Sequence, residues 1–181
     1  MVHPFETWPS SGRRMWTWAV TVAFVVIGLA LFLIGLALPE GGLLGLELAT
    51  SHERVGEILG AWHAEGVLGL GAFGLGLDMA YLVAYGLFLS VVNARVAATA
   101  RARGANRLAG AAALAAWLSI GAAVLDLFEN AFQVPYFDDP TAGVPMGAAG
   151  CATVKFILLI IVIGVAIGGA IANRRARTAA D

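Results

Sequence analysis

The chain has 181 residues, of which 60% are hydrophobic and 13% are charged, and its mean hydropathy is +0.83. A soluble domain needs about 25% charged residues for its surface, so this composition excludes an ordinary soluble fold and indicates a membrane protein. The formal net charge of −1 and the lack of a basic repeat or nucleic-acid motif argue against a nucleic-acid partner. The single cysteine, Cys151, excludes an internal disulfide.

Four apolar runs have the length of about 20 residues that a helix needs to cross a lipid bilayer. They predict an all-α polytopic membrane protein, organised as a single domain over residues 1–181 with a four-transmembrane-helix bundle. An even number of spans places both termini on the same side of the membrane. The predicted spans are residues 16–38, 67–92, 108–134 and 146–172.

The arginines indicate which side of the membrane the termini face. They occur in the N-terminal arm, in the link between spans two and three, and in the tail, whereas the other two links are mainly acidic. Cytoplasmic loops are enriched in Lys and Arg, so this pattern predicts cytoplasmic N- and C-termini. We therefore expect a multi-pass protein of the inner or plasma membrane, with the lipid bilayer as its solvent.

The link between the first two spans contains a further predicted helix. Thr50 and Glu53 have the spacing of a capping box, which favours a helix start at Thr50. Val55, Ile58, Leu59 and Trp62 then recur at helical spacing on one apolar face. The pattern predicts a short extracytoplasmic amphipathic helix over about residues 51–62, either at the membrane surface or as a lid over the bundle.

Small residues repeat every four positions in two of the spans. Gly76 and Ala80 belong to such a stripe in the second span, and Gly164 and Gly168 form another in the fourth. Stripes of this kind let helix backbones approach closely. They predict packing surfaces, which are also candidate docking faces for a membrane-protein partner or a second copy of the chain.

Charged residues interrupt three of the apolar spans. A charge at the bilayer centre costs about 2.5–3.5 kcal/mol on insertion scales, so it is expected to be paired, neutralised or in contact with water. In the second span, Asp78 shares a helix stripe with Tyr81 and Tyr85. We expect this stripe to face the bundle interior, with the tyrosine hydroxyls donating to Asp78 or to an ordered water.

A second polar group is predicted where the third and fourth spans meet. Asp126, Glu129 and Asn130 share one face of the third span, and Lys155 lies in the fourth. At a rise of 1.5 Å per residue, Asp126 and Lys155 lie about 12 and 13 Å from the outer ends of their spans. This equal depth predicts an Asp126–Lys155 ion pair, assisted by Glu129 or Asn130. Asp78 is predicted to lie nearer the midplane.

Three intramembrane acids against one lysine leave an excess of negative charge. At least one acid is expected to be protonated, unless the site holds water, a metal or a cationic ligand. This imbalance makes Asp78, Asp126, Glu129 and their polar neighbours candidates for ligand or proton binding. No metal site is predicted, because His52, His63 and Glu65 lack a ligand spacing, and nothing indicates a cofactor or a catalytic residue.

The sequence also resembles a group of uncharacterised small bacterial four-span integral membrane proteins. The similarity rests on a loose D-x-x-E-N pattern at Asp126–Asn130, on Asp78 with its tyrosines, and on the segment around Glu53 and Trp62. It covers most of the chain and implies that the acids belong to a common pattern. It implies no activity. The bias toward Ala, Gly and Arg agrees with a bacterial source.

Three classes of function fit these features. The favoured class is a small-ligand-binding protein, or an accessory subunit of a membrane complex, with an acidic pocket near the outer face. The alternatives are a proton- or cation-linked small transporter and a membrane enzyme acting on a lipid-like substrate. A four-helix bundle without an evident inverted repeat is small for alternating access, and an enzyme is the less expected class.

Overall fold

The computed structural model describes residues 2–7 and 10–178, except for the side chains of residues 10–15 and 177. Every regular element in this part of the chain is a helix. Short 3-10 helices at Pro4–Glu6 and Val134–Phe137 accompany six α-helices, which are α1 Ser10–Ala37, α2 Gly42–Glu47, α3 His52–Ala64, α4 Leu68–Ala102, α5 Asn106–Gln133 and α6 Pro145–Thr178.

Four of these helices contain segments long and apolar enough to cross a membrane, as expected for a multi-pass membrane protein. The predicted all-helical class with four candidate spans is confirmed. α4 continues to Ala102, well past the predicted end at residue 92, because Ala and Arg are strong helix formers even where hydropathy falls. The four segments are Trp16–Ala37, Leu68–Ala102, Asn106–Phe137 and Pro145–Ala176.

α4 is the central helix of the bundle. It packs against α1, α5 and α6, and α5 packs against α6. Small side chains make these contacts close, because Ala112, Ala116 and Ala152 are fully buried and a Cβ on Gly169 would overlap Val96. α1 packs mainly on α4, and only 6% of its most apolar stretch is buried. It is therefore a peripheral helix, exposed to the surroundings along most of its length.

The predicted small-residue stripes do not form these contacts. Gly76 and Ala80 are exposed, as are Gly164 and Gly168. A Cβ built on Gly76, Gly164 or Gly168 would meet no atom within 4 Å. Their expected role in packing within the bundle is therefore wrong, because both faces of each helix are apolar and the periodicity alone does not select the inward one. The stripes face outward.

A tight reversal separates α1 from α2. Pro39 follows the end of α1, and Glu40, Gly41 and Gly42 have positive φ values of 57°, 86° and 63°. Gly42 also has no room for a side chain, since its Cβ would lie 2.6 Å from the carbonyl oxygen of Gly35. The reversal turns α2 back toward the bundle, an element that periodicity did not predict because it is only six residues long.

α3 covers the end of the bundle opposite the termini. Its apolar face is buried, and Trp62 donates from its indole nitrogen to the carbonyl oxygen of Pro39 at 3.0 Å. The amphipathic helix predicted over residues 51–62 is present as His52–Ala64. Its N-cap is Ser51, which accepts from the backbone N–H of Arg54, so the expected capping box at Thr50 is wrong.

The contact between α3 and α4 leads to a stability prediction. A Cβ on Gly71 would press directly on the Trp62 ring, whereas one on Gly69 would meet no atom within 4 Å. Gly71→Ala should therefore lower the free energy of unfolding by about 1–3 kcal/mol through overpacking. Gly69→Ala should leave it unchanged or raise it by up to about 1 kcal/mol, because Ala is the better helix former. Thermal unfolding in detergent measures both, and equal stabilisation by the two substitutions would contradict the packing described.

Candidate functional site

A charged cluster lies inside the bundle, toward the end that α3 covers. α5 contributes Asp126 and Glu129 from one face, because positions three residues apart lie on the same side of a helix. α6 contributes Lys155, and α2 contributes Glu47 from the far end of the reversed segment. Three helices that are distant in sequence thus place one ammonium and three carboxylates together.

Lys155 is the centre of this cluster. Its Nζ donates to Asp126 Oδ1 at 2.7 Å and to Glu47 Oε2 at 3.4 Å. It also lies 2.8 Å from Glu129 Oε2, at an angle unsuitable for a hydrogen bond, so this contact is an ion pair only. The side chain of Lys155 is 5% exposed and that of Asp126 is 3% exposed. The predicted Asp126–Lys155 pair, with Glu129 assisting, is confirmed.

Glu129 is the most enclosed acid of the cluster. Its side chain is fully buried, and its Oε1 accepts from the amide nitrogen of Gln133 at 3.3 Å. Gln133 lies one turn further along α5 and is itself 1% exposed. Sequence reasoning overlooked Gln133, although the i, i+4 spacing after Glu129 was a usable signal.

Asn130 connects the cluster to a second acid on α4. Its Nδ2 donates to Asp78 Oδ2 at 2.8 Å. Of the two residues expected to assist the Lys155 pair, Glu129 does so and Asn130 does not, since its position on α5 directs the amide toward α4. Asp78 is partly buried and lies beside the Lys155 cluster rather than within it.

The two predicted tyrosine partners of Asp78 have other surroundings. Tyr81 stacks on Phe24 of α1, with ring centroids 5.7 Å apart, and its ring lies against the backbone of Gly28. Tyr85 is buried, and its hydroxyl has no hydrogen-bond partner among the described residues. Neither phenol donates to Asp78 among the described hydrogen bonds, so of the two expected partners an ordered water stays a prediction. A buried hydroxyl without a partner is costly, which marks Tyr85 as a position that a ligand would satisfy.

Glu47 is the site residue that sequence reasoning missed. It was counted among the acids of an outer link, yet its side chain is only 16% exposed and contacts Lys155. A usable signal was present, because Glu47 is the one charged residue in the apolar stretch 41–49. Burial raises the pKa of Glu47 above its ordinary value, partly offset by the nearby Lys155 ammonium, while the charge of Asp126 raises it further. The Glu47 carboxyl therefore retains its proton at a higher pH than an exposed glutamate.

A cleft of about 590 Å³ leads to these residues between α1 and α6. Its polar wall consists of Glu47, Asp78, Asp126 and Lys155. The remaining lining is almost entirely apolar, with aromatic rings on both sides. Representative apolar lining residues are Phe24, Leu31 and Phe32 of α1, and Phe156 and Leu159 of α6.

The cleft opens sideways because α1 is peripheral. α1 packs on α4 rather than on α6, so the two walls of the cleft are not closed against each other. In a membrane this opening would face the lipid region rather than the aqueous side. Access from the side suits a molecule that partitions into lipid.

His52 has a structural role between two connecting segments. It donates from its Nε2 to the carbonyl oxygen of Gly143 at 3.0 Å, which links the α1–α4 connection to the α5–α6 connection. His63 and Glu65 are exposed at the end of α3. Across residues 2–7 and 10–178, no group of three or more His, Cys, Asp and Glu side chains is arranged to hold a metal ion.

Comparisons with protein-family models, with curated proteins and with solved structures gave no match for this chain. The resemblance to small four-span bacterial proteins therefore stays a prediction. Any conclusion on function rests on the site itself.

The ion-pair geometry predicts the effect of removing the ammonium group. Lys155→Met leaves Asp126 and Glu129 buried without a counter-charge, so the free energy of unfolding should fall by about 3–5 kcal/mol. Chemical unfolding in detergent micelles measures this loss.

Arg54→Met is the matched control, because Arg54 pairs with Glu40 and Glu57 at the exposed surface. Its loss should cost less than about 1 kcal/mol. The double variant Lys155→Met/Glu129→Gln should recover part of the stability lost with Lys155. Tolerance of Lys155→Met at the level of Arg54→Met would show that the cluster does not stabilise the fold.

Proposed function

We propose that this protein is a multi-pass membrane protein that binds a small amphipathic cation in the cleft between α1 and α6. The observation that carries the proposal is the combination of an acidic wall and an apolar, laterally open channel in one cavity. A volume of about 590 Å³ lies within the range of about 300–1,000 Å³ that is usual for small-molecule sites.

The charge balance of the site favours a cationic headgroup. Lys155 pairs with three carboxylates, those of Glu47, Asp126 and Glu129, and a fourth, that of Asp78, lies beside them with only an amide partner. Ionising all four in a low-dielectric interior is expensive unless further positive charge is present. Protons supply it in the unliganded site, and a bound cation would replace them.

Asp78 and Glu47 are the residues best placed to contact that headgroup. Both line the cleft, whereas Glu129 lies behind Lys155 with a fully buried side chain. Asp78 accepts one amide hydrogen bond from Asn130 and has no cationic partner among the described ion pairs. The hydroxyl of Tyr85 lines the same cavity and is available as a further hydrogen-bonding group.

The apolar lining supports a hydrocarbon tail on the same ligand. The aromatic side chains of Phe24, Phe32 and Phe156 border the cleft, and the opening lies between membrane-length helices. A hydrocarbon tail would exchange contacts with lipid for contacts with these side chains, while the cationic headgroup stays at the carboxylates. A small hydrophilic cation gains nothing from these walls, so the geometry favours an amphiphile.

Binding of a long-chain amine tests the proposal. The wild-type protein in lipid nanodiscs should bind dodecylammonium in preference to dodecanoate, as measured by isothermal titration calorimetry. Asp78→Asn and Glu47→Gln should each lower the affinity for dodecylammonium by about tenfold, the effect of losing one charge-assisted contact.

Glu53→Gln is the control, because Glu53 is an exposed acid on α3 outside the cleft. It removes the same charge and should leave the affinity unchanged. Asn at position 78 still accepts from Asn130, so this variant is expected to fold. Equal affinity for the amine and the carboxylate, or equal effects of all three substitutions, would overturn the proposal.

A second candidate function is that of an accessory subunit, supported by the outward-facing small-residue stripes. Gly76 and Ala80 on α4 are exposed, as are Gly164 and Gly168 on α6, and a Cβ on any of the three glycines would meet no described atom within 4 Å. Exposed small residues of this kind are where membrane-embedded helices pack closely. The partner is a second copy of the chain or another membrane protein.

Crosslinking in the native membrane tests this candidate. Gly76→Leu and Gly164→Leu should abolish a crosslinked complex, because their side chains would hold the partner helix away. Gly110→Leu on α5, an exposed glycine outside both stripes that also has open space around its Cβ, and Asp78→Asn in the cleft should leave the complex intact. A complex that survives both stripe substitutions, or the lack of any complex with the wild-type chain, would reject docking through these faces.

A further inference from the structure

A second cavity, separate from the proposed cation site, lies at the end of the bundle where the termini are. It measures about 220 Å³ and is enclosed by the N-terminal arm, α1 and α4. Its walls are apolar, formed by Phe5 of the arm, Val20 of α1, and Leu87 and Val91 of α4. At its end it holds one charged group, the guanidinium of Arg95.

Among the described residues, Thr17 is the hydrogen-bond partner of Arg95, whose Nη2 donates to Oγ1 of Thr17 at 2.8 Å. A guanidinium has several further N–H donors in a planar fork that suits phosphate oxygens. None of the described ion pairs joins Arg95 to a carboxylate, whereas Arg101, the next arginine along α4, is paired with Glu6 at 3.0 Å. The positive charge of Arg95 therefore has no described counter-charge at the end of the apolar groove.

The dimensions of the groove match a lipid lying along the bundle. Leu87 is about two helical turns from Arg95, so the apolar wall extends about 12 Å toward the centre of the bundle. Trp16 lines the charged end and is 54% exposed. Tryptophan at that level is typical of the interface between lipid headgroups and hydrocarbon.

The basic residues around the groove favour a negatively charged headgroup. The described residues at this end of the molecule include one acid, Glu6, which is already paired. Five other arginines whose side chains the structure describes lie on the same side, so the local potential is positive. The basic side chains are Arg101, Arg103, Arg107, Arg174 and Arg175.

We infer that this groove is a binding site for an anionic phospholipid of the leaflet on the terminal side. The phosphate contacts the guanidinium of Arg95 beside Trp16, and one acyl chain lies along Val20, Leu87 and Val91. The N-terminal arm forms the outer wall, since His3 is buried against Ser90 at 3.3 Å and places Phe5 over the groove. The lipid would thereby hold the arm, α1 and α4 together.

Native mass spectrometry tests the site. The protein is released from nanodiscs containing equal amounts of phosphatidylglycerol and phosphatidylcholine, and the retained lipids are counted. The wild-type chain should retain one phosphatidylglycerol in clear preference to phosphatidylcholine. Arg95→Gln should reduce that preference about tenfold, because the lost guanidinium favours the net anionic headgroup over one in which a choline ammonium cancels the phosphate charge.

Three further variants keep the result interpretable. Arg107→Gln removes an exposed arginine on the same side that does not line the groove and should retain the lipid. Thr17→Val removes the hydrogen bond to Arg95 but not the charge, so retention should largely persist. Val91→Trp fills the groove and should abolish retention with Arg95 intact. Equal retention by all variants, or no preference for phosphatidylglycerol in the wild-type chain, would overturn the inference.

Discussion

The ammonium group of Lys155 holds together parts of the chain that are far apart in sequence. It contacts two carboxylates of α5 and one of α2, a residue separated from it by 108 positions. In a low-dielectric interior neither the lysine nor the acids are tolerable alone, because each buried charge requires a counter-charge. The positions of α5, α6 and the reversed α2 segment therefore depend on one another. Because the cluster contains more carboxylates than ammonium groups, the wall of the cleft is acidic.

The reversed α2 segment also accounts for the peripheral position of α1. The reversal at Glu40–Gly42 sends α2 inward, so Glu47 reaches Lys155 while α1 remains outside the three-helix core of α4, α5 and α6. This separation produces the lateral cleft between α1 and α6. At the other end of α1, the N-terminal arm and Arg95 close a smaller groove against α4. The two cavities share α1 and α4 as walls but have opposite charge, acidic at one end and basic at the other.

The polar site shows where reasoning from the sequence succeeds and where it stops. Asp126 and Lys155 were predicted to pair because a helix rises by a constant amount per residue, so depth can be counted along antiparallel neighbours. The choice between Glu129 and Asn130 as the residue that assists this pair stayed open, because counting gives depth but not the rotation of α5 toward α4. Glu47 was overlooked because its depth in the membrane cannot be counted from the rise of a predicted span, since it lies in a connecting segment. The small-residue stripes failed for a related reason, since lipid is as apolar as the core and provides no force that turns one face inward.

The sequence by itself determined the four membrane-length helices, the amphipathic helix over the bundle end and the presence of excess acid among apolar residues. These features are local, because the length and composition of a segment decide whether it can satisfy its backbone inside a bilayer. Only the tertiary structure decided which acids surround Lys155, that Asp78 pairs with Asn130, and that a cleft between α1 and α6 leads to them. Those features depend on helix rotation and on the fold of a short reversal, and both are set by contacts between residues distant in the chain.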